Sequence, residues 1–241
     1  RGVHYFTTRD NHGASCEVYK YSGRESVIAE CERSLKRLGT DYIDLYQIHW
    51  HDVSTPIEET MEALQLLMDQ GKIRAAGVSN YSLGQMKEAA SYINLASNQL
   101  PYSMVRRDIE EEIVSWSMEN EGGILAYSPL QRGLLTGKIN ENTTFAPGDS
   151  RPDLPHFRMS NVIKTNAFLD EIRPLAQAKG VSLSQLVIRW TLQRPGISVA
   201  LVGARNEEQV KQNAHAGNFE LSREEMDRIN ASLDGLSLDL D

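Results

Sequence analysis

The chain alternates short apolar runs with amphipathic helical segments, and this alternation limits the possible folds of its 241 residues more than any other feature. The strand-like runs lie at 42–48, 73–78, 96–99, 123–127 and 197–202, with helical segments between them. Because parallel strands need a crossover connection, usually a helix, the pattern predicts βα units wound in one direction. It indicates an α/β protein, either a (β/α) barrel or, as the alternative, a doubly wound open sheet.

At the start of four helical segments, a serine is followed three residues later by glutamate or glutamine, which is the pattern of a capping box. The pattern predicts helix starts at Ser22, Ser82, Ser182 and Ser222. By contrast, residues 1–23 are polar and show neither a helical nor a strand period. We predict a loop there.

The length fits one domain, because (β/α) barrels routinely contain about 250 residues. We therefore expect a single barrel domain over residues 1–241. Five strands do not close such a barrel, which needs eight. The connection at 130–161 is rich in glycine and proline and is typical of lids and binding loops.

Composition excludes several partners. The net charge of −8 argues against a nucleic-acid-binding face, and no apolar run is long enough to span a membrane. With only two cysteines there is no disulfide framework, so a cytoplasmic location is the expectation. Oligomeric state leaves no signal.

Polar residues stand where the predicted strands end, which is where parallel α/β proteins place their chemistry. These positions are His49, Ser79, Asn80, Gln99, Tyr127, Ser128, Gly203, Ala204 and Arg205. The hydroxyl and amide groups of Ser79, Asn80 and Gln99 are suited to recognising a neutral carboxamide. Tyr127 is suited to stacking on a flat heterocycle, although a place in the core is the commoner role for a tyrosine.

His49 and His51 lie two residues apart, as metal ligands on one strand face do in barrel hydrolases. The later strand ends supply no further histidine or carboxylate, so we predict no metal site. The alternative is a structural role, with one histidine buried and hydrogen-bonded and the other exposed.

The segment after the last strand favours phosphate binding. Gly203, Ala204 and Arg205 immediately precede a helix, whose first backbone N–H groups attract anions. Gln209 and Asn213 lie four residues apart on that helix and add polar groups to one face. Because neither GxGxxG nor GxxxxGK[ST] occurs, nucleotide binding would not follow the Rossmann or P-loop pattern.

Three segments in order, Gly39–Trp50, Gly71–Tyr81 and Ala126–Lys138, resemble the fourth, fifth and seventh strand motifs of the aldo-keto reductases. Val202–Arg205, with Gln209 and Asn213, resembles the adenosine-phosphate site of that family. The resemblance runs from about Glu25 to the last helix. It implies a (β/α)8 TIM barrel and an NADP(H)-dependent oxidoreductase that reduces an aldehyde or ketone to an alcohol by direct hydride transfer.

The resemblance also implies roles for individual residues. His49 matches the catalytic histidine that orients the small carbonyl substrate, and Ser79, Asn80 and Gln99 match the groups that hold the nicotinamide carboxamide. Tyr127 matches the ring that stacks on the nicotinamide. Ser128 and Leu130 match the pyrophosphate contacts, and Gly133 and Lys138 are further cofactor-binding matches. The matches for the adenosine side are Gly203, Ala204, Arg205, Gln209 and Asn213. The 130–161 loop matches the segment that covers the cofactor.

One departure bears on catalysis. The tetrad of the family also contains an aspartate, a tyrosine acid and a lysine on its first three strands, and none of these has a match in the sequence. We expect those strands to lie upstream of Arg1 in an active reductase. The alternatives are a truncated, inactive fragment, a catalytically inactive NADP-binding regulatory subunit, and a barrel metal hydrolase that uses His49 and His51.

Overall fold

The computed structural model describes residues 6–9, 15–18 and 20–240, and for the first two segments it describes the backbone only. The strands in this part of the chain are β1 (Phe6–Arg9), β2 (Ser15–Val18), β3 (Ile43–Ile48), β4 (Ile73–Ser79), β5 (Leu95–Pro101), β6 (Gly123–Tyr127) and β7 (Ile197–Leu201). The helices are α1 (Arg24–Leu38), α2 (Ile57–Asp69), α3 (Leu83–Ala90), α4 (Ser115–Glu119), α5 (Met159–Ala178), α6 (Leu183–Leu192), α7 (Glu207–His215) and α8 (Arg223–Asp234).

All five predicted strands are present, with ends that differ by no more than two residues from the prediction. The loop prediction for residues 1–23 is wrong where the structure describes a hairpin. Phe6 pairs with Val18 and Arg9 with Ser15 in antiparallel register. The short strands escape detection because four residues are too few for a clear alternation. Residues 1–5, 10–14 and 19 lie outside the described part.

The chain divides into two compact units. The first comprises the chain up to Leu100 together with Glu110–Ile124, and the second comprises Pro101–Ile109 and Leu125–Asp241. The single-domain assignment for residues 1–241 stays a prediction.

In the first unit, β3, β4 and β5 form a parallel sheet in that order. Ile48 lies opposite Val78, and Ser79 lies opposite Gln99. Helix α2 covers the sheet with fully buried Leu64 and Leu67. Because parallel strands in close register end at the same edge, the residues after β3 and β4 and those late in β5 come together.

Strand β6, whose last three residues belong to the second unit, is hydrogen-bonded to β7. Trp190 of α6 is fully buried, stacks on the Tyr102 ring at 6.0 Å, and donates its indole N–H to Asn230 Oδ1 at 2.9 Å. A separate apolar cluster supports the long loop before α5 and contains Leu134, Ile139, Phe157 and Val162.

Three of the four predicted capping boxes are confirmed. The side chains of Ser82, Ser182 and Ser222 each accept the N–H of the residue three positions later, and the reciprocal bond is also present. The fourth, at Ser22, is wrong. Gly23 is the N-cap of α1, and the Ser22 N–H donates instead to Asp52.

We find no helix in the described part of the chain that combines the length and the apolar character needed to cross a membrane.

Candidate active site

The polar residues predicted for the ends of β3 and β4 and for β5 lie together in the first unit. The Asn80 N–H donates to the Gln99 carbonyl at 3.0 Å, and the Ser79 hydroxyl donates to the same oxygen at 3.0 Å. Asn80 Nδ2 donates to Ser79 Oγ at 3.0 Å and to the carbonyl of His49 at 3.2 Å. The four predicted residues of this unit therefore form one hydrogen-bonded group.

Asn80 adopts an unusual backbone conformation to do this. Its φ of +60° lies in the left-handed region, which asparagine tolerates better than most residues. The conformation turns the chain at the end of β4 and lets the side-chain amide bridge Ser79 and the His49 carbonyl. Strain of this kind persists where surrounding bonds stabilise it and is often found at functional sites.

Sequence reasoning missed Gln47 as a member of this group. Its side-chain amide contacts residues of β4 and β5 and accepts a hydrogen bond from the Gln99 amide at 3.0 Å. Gln47 lies in β3 and stands two residues before His49, which is the spacing of side chains on one face of a strand, although β3 itself ends at Ile48. That period was the signal in the sequence that could have identified it.

The segment after His49 is held by a buried carboxylate. Asp52 accepts hydrogen bonds from the Thr55 hydroxyl at 2.6 Å and from the Ser54 hydroxyl at 2.7 Å, and also from the backbone N–H groups of Ser54 and Ser22. Burial raises the pKa of Asp52, but these hydrogen bonds outweigh burial and lower the pKa from 3.8 to about 2. Asp52 is therefore ionised at neutral pH and fixes the loop that carries His49.

His49 and His51 have different surroundings. The His51 ring packs edge-on against Tyr81, with the ring centres 5.6 Å apart, whereas the His49 ring is tilted against Trp50 at 6.2 Å. His49 is exposed. Among the described residues, no three histidine, cysteine, aspartate or glutamate side chains are grouped so that they could hold a metal ion.

A cleft of about 870 Å³ opens in the second unit. Its walls come from the loop after β6, the start of α6, the residues after β7 and one side of α7. Every cofactor residue predicted for this unit lines it except Tyr127: Ser128, Leu130, Gly133, Lys138, Gly203, Ala204, Arg205, Gln209 and Asn213. Tyr127, the last residue of β6, is half-buried.

The wall beside α7 is shaped by its own side chains. The Arg205 N–H donates to Gln209 Oε1 at 2.8 Å, and the Asn206 side chain caps α7 by accepting the Gln209 N–H at 2.9 Å. Asn213 Nδ2 donates to the Gly203 carbonyl at 3.3 Å. Gln209 and Asn213 therefore hold the loop in the shape that presents Arg205 to the cleft.

The opposite wall adds cationic residues that sequence reasoning missed. Arg132 and Arg151 join the predicted Lys138 there. Arg151 forms a bidentate ion pair with Asp149 and also donates to the Arg132 carbonyl at 3.5 Å. Within the described residues, Lys138 and Arg205 form no ion pair. Their charges favour an anionic ligand in the cleft, such as a phosphate.

The loop enters the cleft through a run of residues with positive φ. Ser128, Gln131 and Arg132 have φ values of +57°, +44° and +52°, and Gly133 follows at +96°. Glycine adopts this conformation without a steric penalty, whereas the other three do so at a cost. The result is a tight turn that places the loop backbone along the cleft.

Comparison with known proteins identifies relatives for nearly the whole chain. The sequence profile described as "Aldo/keto reductase family" matches residues 16–234. The aldo-keto reductase YhdN of Bacillus subtilis (strain 168) is 39% identical over 219 residues, which are 90% of this chain and 66% of that protein. The NADH-specific methylglyoxal reductase of Escherichia coli (strain K12) is 36% identical over 209 residues, 86% of this chain and 64% of that protein. The chain thus spans about two thirds of the length of these relatives.

Solved structures agree. The glycerol dehydrogenase AKR11B4 from Gluconobacter oxydans superimposes with a TM-score of 0.89 at 35% identity, covering 98% of this chain and 73% of that one. An aldo/keto reductase from Klebsiella pneumoniae, in complex with NADP and acetate, gives a TM-score of 0.67 at 30% identity, covering 87% of this chain and 65% of that one. These similarities confirm the α/β fold class of the aldo-keto reductase type.

Proposed function

Because the chain belongs to the aldo/keto reductase family, we propose that it takes part in reducing a small aldehyde or ketone to an alcohol with a nicotinamide cofactor. The observation that carries this proposal is the hydrogen-bonded group of Ser79, Asn80 and Gln99 beside His49. It presents neutral donors and acceptors, which is the chemistry that a carboxamide requires.

When bound, a dihydronicotinamide would supply a hydride to the carbonyl carbon, and the oxygen would take its proton from water. His49 donates a hydrogen bond to the carbonyl oxygen and stabilises the negative charge that develops there. Asn80 ties the His49 carbonyl to β4, and Asp52 holds the segment that follows. Donors fixed before the reaction lower the barrier because they need not reorganise during it.

We assign the cleft of the second unit to the phosphates and the adenosine of the cofactor. Ser128, Leu130, Gly133 and Lys138 would contact the pyrophosphate, and Tyr127 would stack on the nicotinamide. Gly203, Ala204 and Arg205 would hold the adenosine end, with Gln209 and Asn213 maintaining the loop. The size of the cleft suits this assignment, and so do Lys138 and Arg205, which form no ion pair with any residue that the structure describes. The loop 130–161 would cover the bound cofactor.

The choice between NADPH and NADH depends on Arg205. A guanidinium beside the ribose would bind a 2′-phosphate, so we propose NADP(H) as the cofactor. The E. coli relative is named as NADH-specific, and both dinucleotides must therefore be compared.

The experiment is a titration of the purified protein with NADPH and NADH, followed by turnover of a panel of short aldehydes and ketones. The expected result is micromolar binding of NADPH and its consumption in the presence of a carbonyl substrate. Binding without turnover would support the regulatory subunit or the truncated fragment instead of an active reductase. If neither dinucleotide binds, the proposed function is wrong.

A further inference from the structure

The orientation of the Gln47 side-chain amide is set by the backbone of β4. Gln47 Nε2 donates to the Val78 carbonyl at 3.2 Å and to Ser97 Oγ at 3.1 Å. A carbonyl oxygen only accepts hydrogen bonds, so the nitrogen of Gln47 must face it. The oxygen of the same amide therefore faces the other way, towards Gln99.

The orientation of the Gln47 amide in turn sets the orientation of the Gln99 amide. Gln99 Nε2 donates to Gln47 Oε1 at 3.0 Å, because an amide oxygen needs a donor opposite it. Gln99 Oε1 has no hydrogen-bond partner among the residues that the structure describes. Gln99 is only partly buried, so this acceptor is available to a ligand.

We propose that Gln47 is a positioning residue that makes Gln99 present an acceptor, rather than a donor, to the bound ligand. The ligand group that Gln99 Oε1 reads is then the N–H₂ of a carboxamide. The inference rests on the proposed function, because it takes the nicotinamide carboxamide to be that group. It goes further by stating which atom of Gln99 makes the contact and what orients it.

Gly77 makes room for this arrangement. A Cβ at this position would overlap Ser97 Oγ and lie 3.1 Å from Gln47 Cγ. Because Gly77 has no side chain, the amide of Gln47 can reach over β4 to Val78 and Ser97. Gln47, Val78 and Ser97 belong to the neighbouring strands β3, β4 and β5, and their hydrogen bonds limit the movement of the Gln47 side chain.

The test compares the natural dinucleotide with its 3-acetylpyridine analogue, in which an acetyl group replaces the carboxamide and removes the N–H₂ donor. The variant is Gln47→Met, which keeps the length of the side chain and removes its hydrogen bonds. The wild type is expected to bind the carboxamide form about tenfold more tightly than the analogue, as one buried hydrogen bond permits. Q47M is expected to lose most of this preference.

Two further variants separate positioning from stability. Gln47→Glu keeps an oxygen facing Gln99 but loses the donor to Val78, so it should fold less stably and retain the preference. Gln65→Met is the matched control, because Gln65 is exposed on α2 and, among the described residues, its side chain bonds only to Asp69. It should behave as the wild type does.

The outcomes are distinct. If Q47M weakens the binding of the natural dinucleotide and of the analogue equally, Gln47 is merely structural and the inference is wrong. The same holds if Q47E loses the preference for the carboxamide as Q47M does. A wild type that binds both forms equally well also overturns it. If the wild type binds neither form, the proposed function itself fails, and this is known before any variant is measured.

Discussion

The carboxylate of Asp52 accepts the backbone N–H of Ser22 at 3.0 Å and so joins residues 30 positions apart. The Ser22 carbonyl in turn accepts the Thr60 hydroxyl at 2.9 Å. The backbone of Ser22 therefore links the start of α1 both to the buried Asp52 carboxylate after β3 and to the first turn of α2. His49 lies three residues before that carboxylate.

The Asp52 network predicts a pH dependence of stability. The pKa of Asp52 is lowered in the folded state, so its contribution is complete above the unfolded value of 3.8 and is lost as the pH falls towards about 2. The shift corresponds to about 2 kcal/mol. We expect Asp52→Asn to lower the free energy of unfolding by about this amount at pH 7, as measured by urea denaturation.

At pH 3 the difference between the wild type and D52N should fall to about half, because the wild-type carboxylate no longer gains fully from its donors. Asp69→Asn is the control, since Asp69 is exposed and, in the part of the chain that the structure describes, accepts only one side-chain hydrogen bond, from Gln65. A difference that does not change with pH would contradict the assignment.

Arg205 predicts cofactor discrimination. Replacing it with alanine should weaken the binding of NADPH at least tenfold and that of NADH less than twofold, because only NADPH carries the 2′-phosphate. Fluorescence titration measures both affinities. Arg223→Ala removes an equally charged but almost fully exposed side chain of α8 and should change neither. Equal weakening of the two dinucleotides by Arg205→Ala would remove Arg205 from this role.

The positive φ of Ser128 predicts that this residue lowers the stability of the fold and strengthens cofactor binding. Ser128→Gly and Glu121→Gly both relieve a left-handed conformation, so each should raise the free energy of unfolding by up to about 1 kcal/mol. Ser128 lines the cleft and Glu121 does not. Only Ser128→Gly should therefore weaken the binding of the cofactor, by a few-fold in the fluorescence titration. Destabilisation by Glu121→Gly would show that its backbone is not strained.

The close contacts around Gly77 predict that a larger residue there destabilises the fold and that a smaller neighbour partly restores the stability. Gly77→Ala should destabilise the protein by about 1–3 kcal/mol, because its Cβ meets Ser97 Oγ and Gln47 Cγ. Ser97→Ala removes the first of these atoms. In a double-mutant cycle the two changes together should cost less than the sum of the separate costs. Additive costs would mean that the strain lies elsewhere.

Much of the fold was predictable because it depends on near neighbours. The five strands and the capping boxes at Ser82, Ser182 and Ser222 follow from local periodicity and from bonds three residues apart. The rule that parallel α/β proteins place their chemistry at strand ends selected His49, Ser79, Asn80 and Gln99, and the structure brings these residues together.

What escaped prediction depends on residues distant in the chain. Ser22 has the local pattern of a helix cap, yet its N–H donates to Asp52, 30 residues later, where it offsets the cost of a buried charge. Arg132 lines the cleft where the loop turns through residues of positive φ, and Arg151 joins it through a bond to the Arg132 carbonyl, 19 residues earlier.

The sequence by itself determined which elements form and where their polar ends fall, because these are effects of periodicity and capping within a few residues. Only the tertiary structure decided that Gln47 meets Gln99, 52 residues away, and which end of each amide faces the other. That orientation comes from the Val78 carbonyl on the neighbouring strand, whose position depends on the register of the sheet.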